Sequence, residues 1–479
     1  MSWVREMTSV LSKTIASSSS LKFSTPPLPR ETVMTLLARS LAQMRALPTL
    51  VDIALPAAKE GDRRGADDLG HGRGKPGTLT ICGDTHGQYF DLLHIFSPPV
   101  AAWPSPSNAF LFNGDFVDRG VYSFEVIITL LAIKLAEPQS MHLLRGNHET
   151  TDMNAAYGFE KQILDKYDWE VLRAFRAVFS ALPVCAVVED RVFVVHGGLG
   201  PESASLGLDE LRGMERDWGG GGGGRDMGDG MDEVLPEPVA EMLWCDPLVL
   251  REGVPLQKQL GFRANQQRGG GWVFGPDVTA SFLAKNRLRM LVRSHEARQA
   301  GFTIDHEVAY PLSGPSAGAG AAAGAAAGAG GGGQSGQEPS SLSPDDYLRC
   351  LTVFSAPNYC DAQGNLGAFV RISRGEGEGE GGEGEGEGRG SNVAVAWAGL
   401  LEPAGPGKEG PLQYKVFQFS ATPHPRSSPT ALKVIARQHE AWARRDRVAW
   451  DGRRGLGGQG RGASLAKAKG CQEPSSYSE

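Results

Sequence analysis

Five short apolar runs of strand length in this chain each end in a cluster of Asp, His and Asn side chains. Ligand sites in open α/β sheets lie at the carboxyl ends of the strands, so five such clusters predict one shared polar site. A single histidine of this kind would more often be structural, but that explanation fits five recurrences poorly. The clusters are GDTHG (83–87), GDFVDRG (114–120), RGNHE (145–149), HGG (196–198) and RSHE (293–296).

The apolar runs alternate with longer segments of helical periodicity, which favours an α/β fold. Residues 29–47 are predicted to form an amphipathic helix, and Val126–Leu135 and Val171–Phe179 are predicted helices between strands. The predicted strands are Leu79–Cys82, Ala109–Phe112, Met141–Leu144, Val192–Val195, Arg289–Val292, Cys350–Phe354 and Gly367–Ile372.

Composition excludes several classes of protein. The formal net charge is −7 over 479 residues, so charge does not favour nucleic-acid binding. No apolar run approaches the roughly 18 residues that span a bilayer. The six cysteines are scattered and predict reduced thiols in a cytoplasmic or nuclear protein. Residues 1–25 are rich in serine with one acid, Glu6, so organelle targeting is the alternative.

Three low-complexity inserts interrupt the pattern, near 218–230, 314–336 and 374–390. Their Gly, Ala and Glu residues cannot bury enough apolar area to form a core, so mobile surface loops are predicted. Residues 435–479 are predicted to be a disordered basic tail, either solvated or contacting an anionic partner. Residues 1–434 are then one catalytic domain, with an N-terminal helical segment at 1–77.

The types of candidate ligand indicate which metal ions the site suits and which reaction they favour. Carboxylate, imidazole and amide oxygens suit Mn, Fe, Zn or Mg. Six ligands that include an aspartate able to bridge suit two ions, which together favour in-line hydrolysis of a phosphoester. Arg119 and Arg268 are candidate phosphate contacts, because guanidinium pairs with phosphate through two hydrogen bonds. Other patterns are weaker: Gly72-x-Gly74-x-x-Gly77 precedes a strand rather than a helix, and Cys185-x5-Arg191 lies in a strand-like run.

The sequence resembles the phosphoprotein phosphatase family of serine/threonine phosphatases, and finer features are similar to its type-5 branch. Besides the five clusters, LWCDP (243–247) and SAPNYC (355–360) carry the family resemblance. The type-5 features are SWVREM (2–7), ALPTLVDI (46–53), GDTHGQYFDLLHIF (83–96), NAFLFNGDFVDRG (108–120), AAYGFE (155–160) and FSATPHP (419–425). The resemblance implies a metallophosphoesterase fold: a central sandwich of two mixed β-sheets flanked by helices.

The same resemblance implies a role for each site residue. The reaction would be hydrolysis of phosphoserine and phosphothreonine on proteins, by hydroxide activated by two metal ions, with manganese expected and iron or zinc as alternatives. His148 would be the general acid, oriented by Asp118. The implied metal ligands are Asp84 and His86 for the first ion, Asp115 as the bridge, and Asn147, His196 and His295 for the second. The implied phosphate contacts are Arg119, Arg268, Asn147 and Tyr359.

The sequence also departs from the family pattern. Cys245 stands in LWCDP where the family usually has serine. No tetratricopeptide repeat, a unit of about 34 residues, is recognisable, so the chaperone docking typical of type-5 members is not expected. Phosphoprotein substrates and regulatory proteins are the expected partners. Two other functions stay open: a dinucleoside-polyphosphate hydrolase, which LWCDP and SAPNYC argue against, and a scaffold without activity.

Overall fold

Two six-stranded mixed sheets lie at the centre of the protein. The computed structural model describes residues 1–17, 27–56, 77–98, 100–216, 234–251, 253–309, 347–374, 393–401 and 411–424. The inserts predicted at 218–230 and 314–336 and the predicted tail at 435–479 lie outside these ranges, as does the 374–390 insert except for Arg374.

Fifteen strands are present in the described residues. In chain order they are β1 Leu50–Ile53, β2 Thr78–Cys82, β3 Asn108–Phe112, β4 Met141–Leu143, β5 Cys185–Val188, β6 Val192–Val195, β7 Asp246–Pro247, β8 Phe262–Ala264, β9 Trp272–Phe274, β10 Met290–Arg293, β11 Phe302–Ala309, β12 Tyr347–Val353, β13 Gly367–Arg374, β14 Val393–Leu401 and β15 Leu412–Phe419.

Eleven α-helices flank the sheets in the described part of the chain. They are α1 Ser2–Ser17, α2 Arg30–Arg45, α3 Tyr89–Ile95, α4 Ser123–Ala136, α5 Thr151–Tyr157, α6 Phe159–Lys166, α7 Trp169–Ser180, α8 Pro201–Ser205, α9 Leu208–Gly213, α10 Glu237–Trp244 and α11 Pro276–Lys285. Within the described residues, no helix is long and apolar enough to cross a bilayer.

The sandwich follows from strands that are buried on both faces. One sheet has the order β1-β5-β6-β10-β12-β11 and the other β14-β15-β13-β2-β3-β4. Between them lies an apolar layer that includes Ile81, Leu111 and Val370 from one sheet and Val194 and Val292 from the other. Each such fully buried side chain contributes about 1.5–3 kcal/mol. The predicted fold, two mixed sheets packed face to face, is confirmed.

Helices cover the outer face of each sheet. Helices α1, α2, α4, α6 and α7 pack on the sheet that contains β3, where Phe110 and Phe112 are fully buried. Val4 and Leu11 bring α1 into the same layer. Helix α7 begins where the Asp168 side chain accepts hydrogen bonds from two backbone N–H groups, which satisfies donors that a helix start leaves free.

All seven predicted strands are present, with ends that differ by a few residues. The segment at 1–77, predicted to be helical, also contributes strand β1, which pairs in parallel with β5 through Leu50 and Cys185. β1 has only four residues, and its partner is far away in the chain, so local pattern could not reveal it.

Buried His306 on β11 joins this strand to helix α11. Its Nδ1 lies 2.7 Å from the Thr279 hydroxyl, and its Nε2 donates to the carbonyl of Leu248 at 3.1 Å. Burial lowers the pKa of His306 to about 4, so the ring is neutral at neutral pH.

The sheet order brings the ends of the predicted strands to one rim. Strands β2, β3 and β4 run parallel in one sheet, and β6, β10 and β12 run parallel in the other. The Asn113 amide, just after β3, donates to the carbonyl of Val195 at 2.8 Å and to the Ser294 hydroxyl at 3.0 Å. These bonds cross between the sheets and hold the loops of both at the same place.

Candidate metal centre

Asp115 lies at the centre of the polar cluster that the strand ends form. Its carboxylate is 3.3 Å from His196 Nε2, 3.5 Å from His86 Nε2 and 4.0 Å from His148 Nε2. Within the described residues, two groups have the spacing to hold a metal ion, and both contain Asp115: one with His86 and His148, the other with His196 and His295. One carboxylate therefore faces two adjoining sites.

The remaining predicted ligands lie in the same cluster. Asp84 Oδ2 is 3.6 Å from His86 Nε2. Asn147 Oδ1 lies 2.9 Å from His196 Nε2, and His295 Nδ1 lies 3.1 Å from the same atom. The structure thus brings together all six side chains predicted to bind metal, and every one of them is buried.

Hydrogen bonds behind the cluster fix how the imidazoles face it. His86 Nδ1 donates to the carbonyl of Val117 at 3.0 Å, and His196 Nδ1 donates to the carbonyl of Asn113 at 2.8 Å. A carbonyl can only accept, so each ring presents Nε2 to the cluster. Metal-binding histidines are held in this way.

The atoms that face one another are mainly hydrogen-bond acceptors. Asp84 Oδ2 is buried without a hydrogen-bond partner. An unpartnered buried acceptor costs about 1–3 kcal/mol, so a convergent set is stable only around positive charge. Carboxylate, imidazole and amide oxygen are ligands for divalent metal ions, and the residues fit such a centre.

The charged side chains of the cluster shift one another's pKa values. Burial lowers the pKa of His196, but the charge and hydrogen bond of Asp115 outweigh burial and raise it to about 9. Burial opposes ionisation of Asp115, yet the charges of His196 and His148 hold the pKa of its carboxyl well below the usual range. Burial and the nearby Arg268 hold the pKa of His295 well below its usual value.

His148 and Asp118 form a buried pair beside the cluster. Asp118 Oδ2 accepts from His148 Nδ1 at 2.8 Å, and Oδ1 accepts from the backbone N–H of Phe159 at 2.9 Å. The second bond fixes the carboxylate, which in turn fixes the ring. His148 Nε2 is thereby turned towards Asp115.

The backbone at the cluster is strained. Positive φ angles occur at His86 (38°), Asp115 (51°), Asp118 (69°), Arg119 (66°) and His295 (69°). Non-glycine residues in this region cost about 1–3 kcal/mol each and persist only where their surroundings over-determine them. Such strain collects at functional sites.

Glu149 helps to hold this strained backbone in place. No role for it was predicted from the sequence. Its carboxylate accepts from the backbone N–H groups of Asp115 at 2.7 Å, Phe116 at 2.9 Å and Gly146 at 2.9 Å. Burial and the Asp115 charge raise the pKa of Glu149 to about 8. Its place in RGNHE was the available signal, since a buried carboxylate inside a polar motif needs partners.

Gly146 permits the close approach that these bonds require. A Cβ at this position would lie 2.3 Å from Asp115 Oδ1 and 2.4 Å from its backbone nitrogen. Only glycine fits between the loops that follow β3 and β4.

The predicted phosphate contacts surround the cluster. The Arg119 guanidinium lies 4.0 Å from the centre of the Tyr157 ring, and the Tyr359 ring lies 5.1 Å from that of His86. Arg268 lies in the loop before β9, as predicted, and its Nη2 donates to the carbonyl of His295 at 3.2 Å.

Asp246 holds Arg268 in place. No role for Asp246 was predicted from the sequence. Its carboxylate pairs with Arg268 and accepts from Arg293 Nη2 at 2.8 Å. Arg293 is fully buried and also donates to the carbonyl of Cys245 at 3.2 Å. The unusual Cys245 side chain is buried rather than exposed to the cluster.

The fold and the cluster together define a metallophosphoesterase domain. Residues 77–299 match the family of calcineurin-like phosphoesterases. Serine/threonine-protein phosphatase T of Trypanosoma brucei brucei is 37% identical over 350 residues, which are 72% of this chain and 56% of that protein. Phosphatase T of Schizosaccharomyces pombe is 40% identical over 298 residues, which are 62% of this chain and 49% of that protein.

The fold is also similar to that of a solved structure. It is a protein serine/threonine phosphatase from Saccharomyces cerevisiae, described as similar to human phosphatase PP5, with 27% identity and a TM-score of 0.55. The match covers 83% of this chain and 92% of that one. Residues 77–299 thus belong to the calcineurin-like phosphoesterases, and the chain is similar to serine/threonine phosphatases T and 5. It spans about half the length of the curated relatives it matches.

Proposed function

We propose that this protein is a metal-dependent protein serine/threonine phosphatase. The observation that carries the proposal is the buried set of acceptors around Asp115, with the His148–Asp118 pair beside it. The relatives named as serine/threonine phosphatases support the same conclusion.

The residues proposed to hold the metals form two sets that share Asp115. Asp84 and His86 would complete one set, and Asn147, His196 and His295 the other. Two bound ions would supply a nucleophile at neutral pH and offset negative charge on the phosphoryl group. Manganese is the proposed metal, with iron or zinc as alternatives, since these ligand types suit all three.

The remaining side chains bind and orient the substrate. Arg119 and Arg268 would contact the phosphoryl oxygens, where guanidinium groups offset charge that grows in the transition state. Asn147 and Tyr359 are proposed to contact the same group. Arg268 is already held by Asp246 and by the carbonyl of His295, so little ordering is needed when phosphate binds.

His148 is proposed to complete the reaction as the acid. A water molecule gives up one proton to solvent as its oxygen forms the new bond to phosphorus, and the ester P–O bond breaks. The proton from His148 converts the departing serine or threonine alkoxide into a hydroxyl group. An alkoxide is a poor leaving group, so this proton contributes about 10²–10⁴-fold to the rate.

The test replaces His148 with asparagine. We expect His148→Asn to keep its bound metal and lose about 10²–10⁴-fold in kcat on a phosphothreonine peptide. His142→Asn, at a half-buried histidine on β4, is the matched control and keeps activity. Full activity of His148→Asn would contradict the assignment. Turnover of diadenosine tetraphosphate in preference to phosphopeptide would instead identify a dinucleoside-polyphosphate hydrolase. No turnover of any phosphoester by the unmodified protein would indicate a scaffold without activity.

A further inference from the structure

A groove adjoins the cluster on the side of Arg119. This groove is partly open to solvent and begins at the loop that carries Gly87. We call it the rim groove and define it by the side chains that line it: Gln88, Phe90, Asp91, Arg119, Tyr122, Cys360, Asp361 and His424.

The rim groove is lined by groups of opposite charge. Arg119, a proposed phosphate contact, is one of them. Asp361, which follows SAPNYC, is another, with 41% of its side chain exposed. Burial raises the pKa of Tyr122 to about 12, and the charges of Glu125 and Asp361 add to that shift.

Aromatic rings line the same groove. Phe90 and Tyr122 meet edge to face with their ring centres 5.6 Å apart. The His424 ring stacks on Phe90 at 6.3 Å, with an angle of 21° between the planes. Such a surface suits the alkyl chain of a long side chain whose charged head reaches beyond it.

The wall that contains His424 is anchored by buried contacts. Asp91 is 4% exposed and accepts from the backbone N–H of Thr422 at 2.7 Å and from the Gln88 amide at 2.8 Å. His424 Nε2 lies 3.4 Å from Asp361 Oδ1. The residues after β15 are thus held against the start of α3, so the groove exists before a ligand binds and little ordering is needed to fill it.

We propose that the rim groove binds a lysine or arginine side chain close to the phosphorylated residue of the substrate. This inference rests on the proposed phosphatase function. The phosphoryl group would lie at Arg119, the alkyl chain would pack on Phe90 and Tyr122, and the cationic head would pair with Asp361. A groove lined by both a cation and a carboxylate complements a phosphoresidue that has a basic neighbour.

The test compares peptides that differ in one charge. Phosphothreonine peptides carry either lysine or norleucine at each of the positions near the phosphothreonine, on both sides. For at least one position, we expect kcat/KM to be about fivefold higher with lysine, the effect of a partly exposed ion pair of about 1 kcal/mol. In Asp361→Asn, that preference should fall to about one.

Asp361→Asn is a conservative change because Asp361 has φ 57°, a region that asparagine tolerates well. Asp361→Gly, which also accepts this φ, is a second variant should the first fold poorly. Asp165→Asn removes an exposed carboxylate on α6 and is the matched control, which should keep the preference. Turnover of p-nitrophenyl phosphate, which has no flanking residues, shows that each variant is folded.

The outcomes separate the two proposals. Loss of the lysine preference in Asp361→Asn, with the preference kept in Asp165→Asn, supports the rim groove as its origin. Equal turnover of lysine and norleucine peptides by the unmodified protein overturns the inference and leaves the phosphatase function intact. A preference that survives in both Asp361 variants also overturns it. No turnover of any phosphopeptide by the unmodified protein would refute the proposed function itself.

Discussion

The contact between Asp118 and His148 can be tested by one substitution that removes charge and little else. Asp118 Oδ2 accepts from His148 Nδ1 at 2.8 Å, and both side chains are buried. Asp118→Asn keeps the size of the side chain, and asparagine tolerates the φ of 69° at this position. The change should therefore leave the loop in place and remove the charge behind the imidazole.

The size of the effect follows from the contact. A hydrogen bond to a charged group contributes about 1.5–3 kcal/mol, and each 1.36 kcal/mol is tenfold in rate. We therefore expect Asp118→Asn to lower kcat on a phosphothreonine peptide by about 10- to 150-fold. In the variant, one of the two donors that Asp118 accepts from, the Phe159 N–H or His148 Nδ1, must face an amide NH₂ group. We therefore also expect the unfolding free energy to fall by about 1–3 kcal/mol.

Two substrates separate proton donation from other roles of Asp118. The threonine alkoxide needs a proton to leave, whereas p-nitrophenolate leaves readily as an anion. Asp118→Asn should therefore lose much less activity on p-nitrophenyl phosphate than on the phosphopeptide. Asp165→Asn is the control for loss of one carboxylate. Equal losses on both substrates would refute the reasoning, because Asp118 would then act on the whole site rather than through the acid.

Three further changes test other parts of the structure. Gly146→Ala should lose metal affinity and activity, because its Cβ would meet Asp115. Gly213→Ala is the control, since its Cβ would meet nothing within 4 Å, and it should leave metal affinity unchanged in a metal titration. Asp246→Asn should raise KM for phosphopeptide about tenfold, since its pair with Arg268, the proposed phosphate contact, weakens. The pKa of His306 is about 4 when folded and about 6.5 when unfolded, so the unfolded state binds more protons between these values and stability falls as pH falls through them. His306→Gln should remove up to about 3 kcal/mol of that dependence in urea unfolding.

Each of these predictions has a result that would contradict it. Normal metal binding by Gly146→Ala would show that the loops can separate without loss of the site. An unchanged KM in Asp246→Asn would show that the arginine needs no support. An unchanged difference in stability between pH 7 and pH 4.5 in His306→Gln would mean that other groups cause the acid dependence.

The parts of the site that the sequence predicted are those that follow a strand directly. Asp84, Asp115 and His196 each come just after a buried strand, and parallel pairing brings such positions to one edge. The sandwich could be predicted because the motifs together resemble one family.

The parts that the sequence did not predict depend on contacts between distant residues. Glu149 holds the Asp115 loop from 34 positions away, and Thr422 meets Asp91 across 331 positions. Strand β1 finds its partner only when the whole sheet forms. Hydrophobic periodicity reports local structure, so it carries no signal for such pairs.

The most direct test of the central claim is the dependence of turnover on bound metal. Protein freed of metal would be supplied with manganese in steps, while bound metal and hydrolysis of a phosphothreonine peptide are measured together, with a phosphotyrosine peptide as control. If the proposed function is right, we expect no turnover without metal and a plateau at about two ions per chain, with the phosphothreonine peptide preferred. Full turnover by metal-free protein, or a plateau at one ion, would contradict a two-metal centre around Asp115.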